Sequence, residues 1–190
     1  ADPKVFPDAV QIAELNYLDT IELAYSGAQI IHPKTIKPLQ NKNIPLYVRP
    51  FGDKRKPGTV IRRMSAPIEV PILILKKDQV LLTIRSRDFS FVLEEKFAAI
   101  FSLLERYRIK VNLVHNSAVN LSLCVDNSWH IDEAIQALRN EEFDVMKVEN
   151  MELLTIRGYN GDLMERYASG PEVFLLQRTQ STARIVRKNR

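Results

Sequence analysis

Few residues in this 190-residue chain are of types that do chemistry unaided. Histidines stand at positions 32, 115 and 130, and Cys124 is the single cysteine. A protein metal site needs three or four nitrogen, sulfur or oxygen donors at short, regular spacings. These four residues are too dispersed for that, so no metal site is expected. His32 stands before Pro33 at a predicted helix start, where a structural or capping role fits an imidazole better than catalysis. One cysteine cannot form an intrachain disulfide, which fits a reducing cytoplasm. Positive charge gathers in two places: Lys54, Arg55 and Lys56 with Arg62 and Arg63, and the tail residues Arg184, Arg187, Lys188 and Arg190. Both are expected to be solvated surface.

The bulk composition is that of an ordinary globular chain, 45% hydrophobic and 26% charged, enough to bury a core. Lysine and arginine number 27 against 23 acids, and the net +4 is spread among the acids. A nucleic-acid-binding sheet interleaves aromatic and basic residues on one face, whereas Val119, Leu121, Leu123 and Val125 read as a core-facing stripe. Nucleic acid is therefore not an expected partner. No apolar run is long enough for a membrane span, and no signal peptide opens the chain. A start at Ala1-Asp2-Pro3, without Met, suggests a fragment of a longer protein.

The elements that must position these residues follow from periodicity. Asn16 can cap a helix, with Asp19 three positions on as the acid of a capping box. Tyr17, Leu18, Ile21, Ala24 and Tyr25 then recur at helical spacing, and Gly27 is a plausible stop. Pro33 suits the first turn of a second helix carrying Ile36 and Leu39, which Pro38 should kink or shorten. Residues 44–48 and 59–62 read as short strands. Residues 1–65 hold too few elements to enclose a core, so they should complete a larger domain, and Ser65-Ala66-Pro67 reads as a boundary. Beyond Pro71 come strands at 72–75 and 80–84, a helix striped by Leu93, Phe97, Ile100, Phe101 and Leu104, and strands at 109–114 and 119–125. A helix carrying Ile131, Ile135 and Leu138, capped by Asn127 or Ser128, and a strand at 143–148 close the set. Residues 79–148 thus spell β-α-β-β-α-β, a ferredoxin-like unit.

The pentapeptide Leu81-Leu82-Thr83-Ile84-Arg85 recurs as Leu153-Leu154-Thr155-Ile156-Arg157. A helical stretch near 163–168 and strands at 172–178 and 182–187 follow the second copy. That copy lacks a second helix and a final strand, and the strand at 72–75 could supply the latter. The first unit would then be inserted within the second.

Three stretches resemble the aspartate kinase family. Ala1-Asp2-Pro3-Lys4-Val5 is similar to its nucleotide-binding T-[AT]-D-P-[RK] loop. Glu22-Leu23-Ala24-Tyr25-Ser26-Gly27-Ala28-Gln29-Ile30-Ile31-His32-Pro33-Lys34-Thr35 is similar to its E-[LM]-A-x-x-G-A-[KQ]-[VI]-[LI]-H-P-x-T segment. Ile44-Pro45-Leu46-Tyr47-Val48, followed by Pro57-Gly58-Thr59-Val60-Ile61, resembles the end of its kinase domain. Order and spacing also agree, and the remainder fits the tandem ACT domains that follow in this family.

The resemblance implies an α+β fold (an α/β sandwich) made of tandem ferredoxin-like ACT domains behind a remnant of an amino-acid-kinase α/β domain. Residues 1–65 would be the end of the catalytic domain, 79–148 the first ACT domain, and 66–78 with 149–190 a second, truncated one. It implies a cytoplasmic enzyme that phosphorylates the aspartate side chain with ATP and Mg, under amino-acid feedback control. The glycine-rich K-F-G-G-T-S segment of the family is not in this chain. No catalytic residue, no bound cofactor and no kinase activity are therefore expected of these residues alone. Asp2, Lys4 and Gln29 fall on nucleotide-binding positions, with Gln29 where many members carry lysine. Effector binding would fall to Ser86, Phe89, Asn112, Leu113, Asn116 and Ser117. Asn112 stands where lysine-inhibited members have aspartate, and the effector would be threonine or lysine. A homodimer through residues 79–148 is implied. The competing reading, a freestanding ACT-domain amino-acid sensor, leaves the signatures in residues 1–62 without a role.

Overall fold

The computed structural model describes residues 1–28, 30–52, 55–64, 68–88 and 94–189. Contacts divide the chain into two compact units. One comprises Ala1–Leu75, Thr155–Met164 and Arg178–Ala183, and the other Lys76–Leu154, Glu165–Gln177 and Arg184–Arg190.

In the first unit a three-stranded sheet has β3 (Thr59–Arg62) between β1 (Glu14–Asn16), which runs parallel to it, and β2 (Leu46–Val48), which runs antiparallel. Helix α1 (Tyr17–Tyr25) starts where the capping box places it. Asn16 Oδ1 accepts the Asp19 N–H at 2.7 Å, and Asn16 Nδ2 donates to Asp19 Oδ2 at 2.7 Å. Gly27, at φ 110°, takes the chain out of the helix through a conformation that disfavours a side chain. Helix α2 (Pro33–Asn41) is capped by His32, whose Nδ1 accepts the Lys34 N–H at 3.2 Å. Pro38 lies inside α2 without ending it. In so short a helix its ring removes only the bond to the first-turn carbonyl of Lys34. Leu15, Tyr17, Leu23, Ile36 and Ile61 form a core here with Ile72 and Ile74.

A six-stranded sheet has the order β5-β6-β4-β7-β9-β8. Its members are β4 (Ile72–Ser86), β5 (Val111–Asn116), β6 (Asn120–Asp126), β7 (Phe143–Arg157), β8 (Val173–Arg178) and β9 (Thr182–Lys188). Helices α3 (Glu94–Arg106), α4 (Ile131–Asn140) and α5 (Gly161–Ala168) connect them, so residues 72–157 show the expected β-α-β-β-α-β order. Two expectations need correction. The separate strands at 72–75 and 80–84 are one 15-residue strand, and the strand expected at 143–148 runs on through the second copy of the pentapeptide as another. Polar residues at their middles look like breaks in sequence. Instead Asp78 (φ 55°) and Asn150 (φ 58°) each take a left-handed turn that bends a continuous strand. Helix α4 is capped in position by His130, without a side-chain bond, while the Ser128 hydroxyl accepts the His130 N–H at 3.3 Å.

In the second unit Val80, Leu82 and Ile84 of β4 and Leu121, Leu123 and Val125 of β6 meet Ile100 and Leu104 of α3 and Ile135 and Leu138 of α4. The opposite face buries Leu81, Leu113, Cys124, Met151, Leu153, Leu175 and Val186, at least one residue from every strand of the sheet. Gln177 Nε2 donates to the Val114 carbonyl at 3.3 Å, so the edge strands β5 and β8 also touch.

The repeat is realised in backbone geometry. A shift of 72 positions carries the left-handed Asp78 onto Asn150, and one of 62 carries Asn127 onto Asn189. Correspondingly, Asn127 N donates to Asp78 O at 3.1 Å and Asn189 N to Asn150 O at 2.9 Å. The same shift of 62 carries the Ser117–Asn120 turn onto Thr179–Thr182. In each turn the hydroxyl accepts an amide at 3.1 Å, and the same carbonyl takes the first residue's N–H at 2.9 and 2.8 Å.

Equivalent positions nevertheless carry different interiors. Val80 and Val125, paired in register, correspond to Glu152 and Arg187. Arg187 Nε donates to Glu152 Oε1 at 2.7 Å, with the side chains 7% and 4% exposed, and the guanidinium lies 5.6 Å from the Tyr167 ring centroid. Arg187 was expected in a solvated basic tail. Its place on the inward face of β9 and its acid partner on β7 bury it instead.

Candidate functional site

The residues singled out for effector binding fall into two groups on the β4–β6–β5 ladder. Ser86 closes one end of β4, while Asn116 and Ser117 close the matching end of β5, where Arg85 pairs with Asn120 and Asn116 with Leu121. Ser86 is buried, and its hydroxyl accepts the Lys96 ammonium at 2.8 Å. Lys96 also lies 3.6 Å from the Asp88 carboxylate. The chain leaves β4 under the hold of Arg87 N, which donates to Glu142 O at 3.1 Å. Asn116 is exposed. The Ser117 hydroxyl is engaged with Asn120 in the turn already described. Phe89 lies outside the described residues.

Asn112 sits at the other end of the ladder. The Gln79–Asp126 pair there is seven residues from Ser86 along β4, roughly 23 Å at strand rise. The register slips between Val111 and Leu113, so Asn112 stands in a bulge. Asn112 Nδ2 donates to Gln79 Oε1 and to Asp126 Oδ1, both at 2.7 Å, and Asn112 Oδ1 accepts the Lys76 ammonium at 2.8 Å. Lys76 Nζ is also 2.6 Å from Asp126 Oδ1, which takes a further bond from Gln79 Nε2 at 2.9 Å. Leu113 is not part of this cluster's polar chemistry, because its side chain is in the core.

Burial alone would push the Asp126 carboxyl up. Hydrogen bonds from Lys76, Gln79 and Asn112, with the lysine charge, outweigh it and hold the group below the usual carboxylate range. The neighbouring Cys124 thiol is pushed up to about 12, first by burial, against the lowering influence of Lys76. Its Sγ donates weakly to Gln79 Oε1 at 3.6 Å.

The residues placed at the nucleotide loop are on the surface. Asp2 Oδ1 accepts the backbone N–H of Lys4 at 2.9 Å, and the Asp2 carbonyl accepts from Val5 and Phe6 at 3.0 and 2.8 Å. The loop is thus a self-closed turn with the Lys4 side chain exposed. Gln29 lies outside the described residues. Among the described residues no group of histidine, cysteine and acidic side chains is arranged to hold a metal, and no helix is long and apolar enough to cross a membrane.

Sequence reasoning missed Lys76, Gln79 and Asp126. A faint signal exists: Gln79 directly precedes an apolar run in the middle of β4 and Asp126 ends β6, and they stand opposite each other once the two strands are paired.

Residues 1–50 match the amino acid kinase family. Lysine-sensitive aspartokinase 3 of Escherichia coli is 30% identical over 181 residues, which are 91% of this chain and 40% of that protein. Chloroplastic aspartokinase 3 of Arabidopsis thaliana is 34% identical over 134 residues, 67% of this chain and 23% of that one. The crystal structure of Escherichia coli aspartokinase III in complex with lysine and aspartate superposes with a TM-score of 0.74 at 25% identity, covering 97% of this chain and 44% of that one. The chain therefore spans less than half the length of these two curated relatives.

Proposed function

This chain is a homologue of aspartokinases over their regulatory region, and from that premise we propose that it mediates dimerisation and amino-acid feedback control of an aspartate kinase. The observation that carries this reading is the succession within one chain of an amino acid kinase segment, residues 1–50, and a duplicated strand–helix–strand–strand unit. In the whole protein the reaction is ATP-dependent phosphorylation of the L-aspartate side chain. ATP with Mg belongs to that intact enzyme, and Asp2, Lys4 and Gln29 contribute to its nucleotide side. Residues 1–65 complete the catalytic domain, 79–148 form the first ACT domain, and 66–78 with 149–190 the second.

The division of the effector residues into two groups supports a dimeric site. Strand β5 is an edge strand, and edges of this kind recruit a second strand. Antiparallel pairing of two β5 strands about Val114, with the Gln177 side chain displaced from the Val114 carbonyl, would set Asn112 of one copy opposite Asn116 of the other. Ser86 and Ser117 would then join Asn112 through the partner. Amino-acid binding at such a junction favours the paired state by its differential affinity and so couples effector to assembly.

Two measurements test the reading. Light scattering behind size exclusion should give a dimer at micromolar concentration. Calorimetry with lysine, threonine and methionine should give saturable heat with at least one, and a monomer that binds none of them would sink it.

A further inference from the structure

The cluster around Asn112 has the form of an occupied cation site. Two oxygens, Asn112 Oδ1 and Asp126 Oδ1, converge on one nitrogen at 2.8 and 2.6 Å, and that nitrogen is the chain's own Lys76 ammonium. Both oxygens are fixed by neighbours. Gln79, 1% exposed, anchors Asp126 through Nε2 and receives Asn112 Nδ2 on Oε1. Gln79 Nε2 is itself oriented by the carbonyls of Lys77 and Asp78 at 3.0 and 3.1 Å. The acceptors are therefore held in place independently of the lysine they bind.

The fold does not demand this cluster. Shifts of 72 and 62 positions carry Lys76, Gln79, Asn112 and Asp126 onto Val148, Met151, Phe174 and Lys188 in the second copy, so neither acceptor is repeated. There Met151 is fully buried in an apolar core and Val148 packs against it. The same backbone is built without the polar set.

We propose that Asn112 and Asp126 form a binding site for a primary ammonium group, and that Lys76 is its built-in ligand, which bars amine-bearing effectors. Under this proposal lysine meets a filled site, and the effectors admitted next to Asn112 carry uncharged side chains. The bar on lysine rests on the regulatory reading above. The existence of the ammonium site does not.

The test uses the 190-residue chain with Lys76→Ala, a truncation that leaves the acceptors in place, and n-butylammonium as the probe. Thermal unfolding should show a saturable rise in Tm with n-butylammonium for Lys76→Ala, absent with n-butanol, absent in the unaltered chain and abolished by adding Asp126→Asn. By calorimetry, L-lysine should bind Lys76→Ala at least about tenfold tighter than the unaltered chain, the effect of one charge-assisted hydrogen bond. A folded Lys76→Ala with no saturable response to n-butylammonium overturns the site, and equal lysine affinity in both chains overturns the bar. Should Lys76→Ala not fold, nitrogen-15 NMR of the unaltered chain decides. The Lys76 ammonium should exchange its protons more slowly than those of exposed lysines and lose that protection in Asp126→Asn, and indistinguishable exchange overturns the proposal. Failure of threonine and methionine to bind would instead count against the regulatory reading and leave the n-butylammonium result standing.

Discussion

Replacing Glu152 by valine should destabilise this protein by about 3–5 kcal/mol, whereas replacing Glu152 and Arg187 together should cost much less. The two charges lie 2.7 Å apart with almost no exposure. At an effective dielectric near 20 their attraction is about 6 kcal/mol, and removing each from water costs several kcal/mol. The pair therefore roughly breaks even, and the loss appears when one charge is left alone. Arg187 is the worse survivor, because a guanidinium is far harder to neutralise than a carboxyl group. Arg187 Nη1 already lacks a hydrogen-bond partner among the described residues, so the ion pair holds the group in place through a single edge. The repeat supplies the replacement: Val80 and Val125 fill the equivalent positions in the first copy. Urea unfolding followed by far-UV circular dichroism reads the outcome. With a slope of about 2 kcal/mol per molar, Glu152→Val should lower the midpoint by about 2 M. Arg187→Val should lower it less, and the double variant should recover most of the loss. A double variant as unstable as the sum of the two single ones would refute the reasoning, because it would mean that the charges act independently.

Further outcomes follow from other contacts. Asp126 has a folded-state pKa held below its unfolded value, so its contribution to stability is complete above the ordinary carboxylate value of about 3.9 and is lost as pH falls through the folded value. The stability difference between the unaltered chain and Asp126→Asn should accordingly be flat above about pH 5 and shrink below about pH 4, as urea midpoints across pH will show. Cys124, fully buried with a thiol pushed up to about 12, should resist Ellman's reagent at pH 8 in the native state and react at once in denaturant. Asn16→Ala should cost about 1 kcal/mol by removing the cap of α1, measured by the same urea titration.

What sequence could show here was local. The alternation of Leu121, Leu123 and Val125 with polar neighbours placed β6 and its buried face, and the Asn16–Asp19 spacing placed the start of α1. The duplication was legible because five consecutive residues repeat. What escaped was whatever depends on partners distant in the chain. Lys76 reads as a polar break between strands until Asp126, fifty positions on, is paired beside it. Arg187 reads as one charge in a basic tail until β9 is laid against β7 and Glu152 faces it. The expected effector residues sit close together in the sequence, yet the ladder separates Ser86 from Asn112 by most of its length.

The left-handed residue in the middle of β4 also bears on how this chain can change length over evolutionary time. Before it, Ile72 and Ile74 point into one core, and after it Val80, Leu82 and Ile84 point into another. Side chains alternate along a strand with a period of two. A single codon gained or lost between positions 75 and 79 would thus turn one of these sets out of its core. Substitutions can drift there, as the contrast between Lys76 and Val148 shows, but the count of residues is held fixed from both sides.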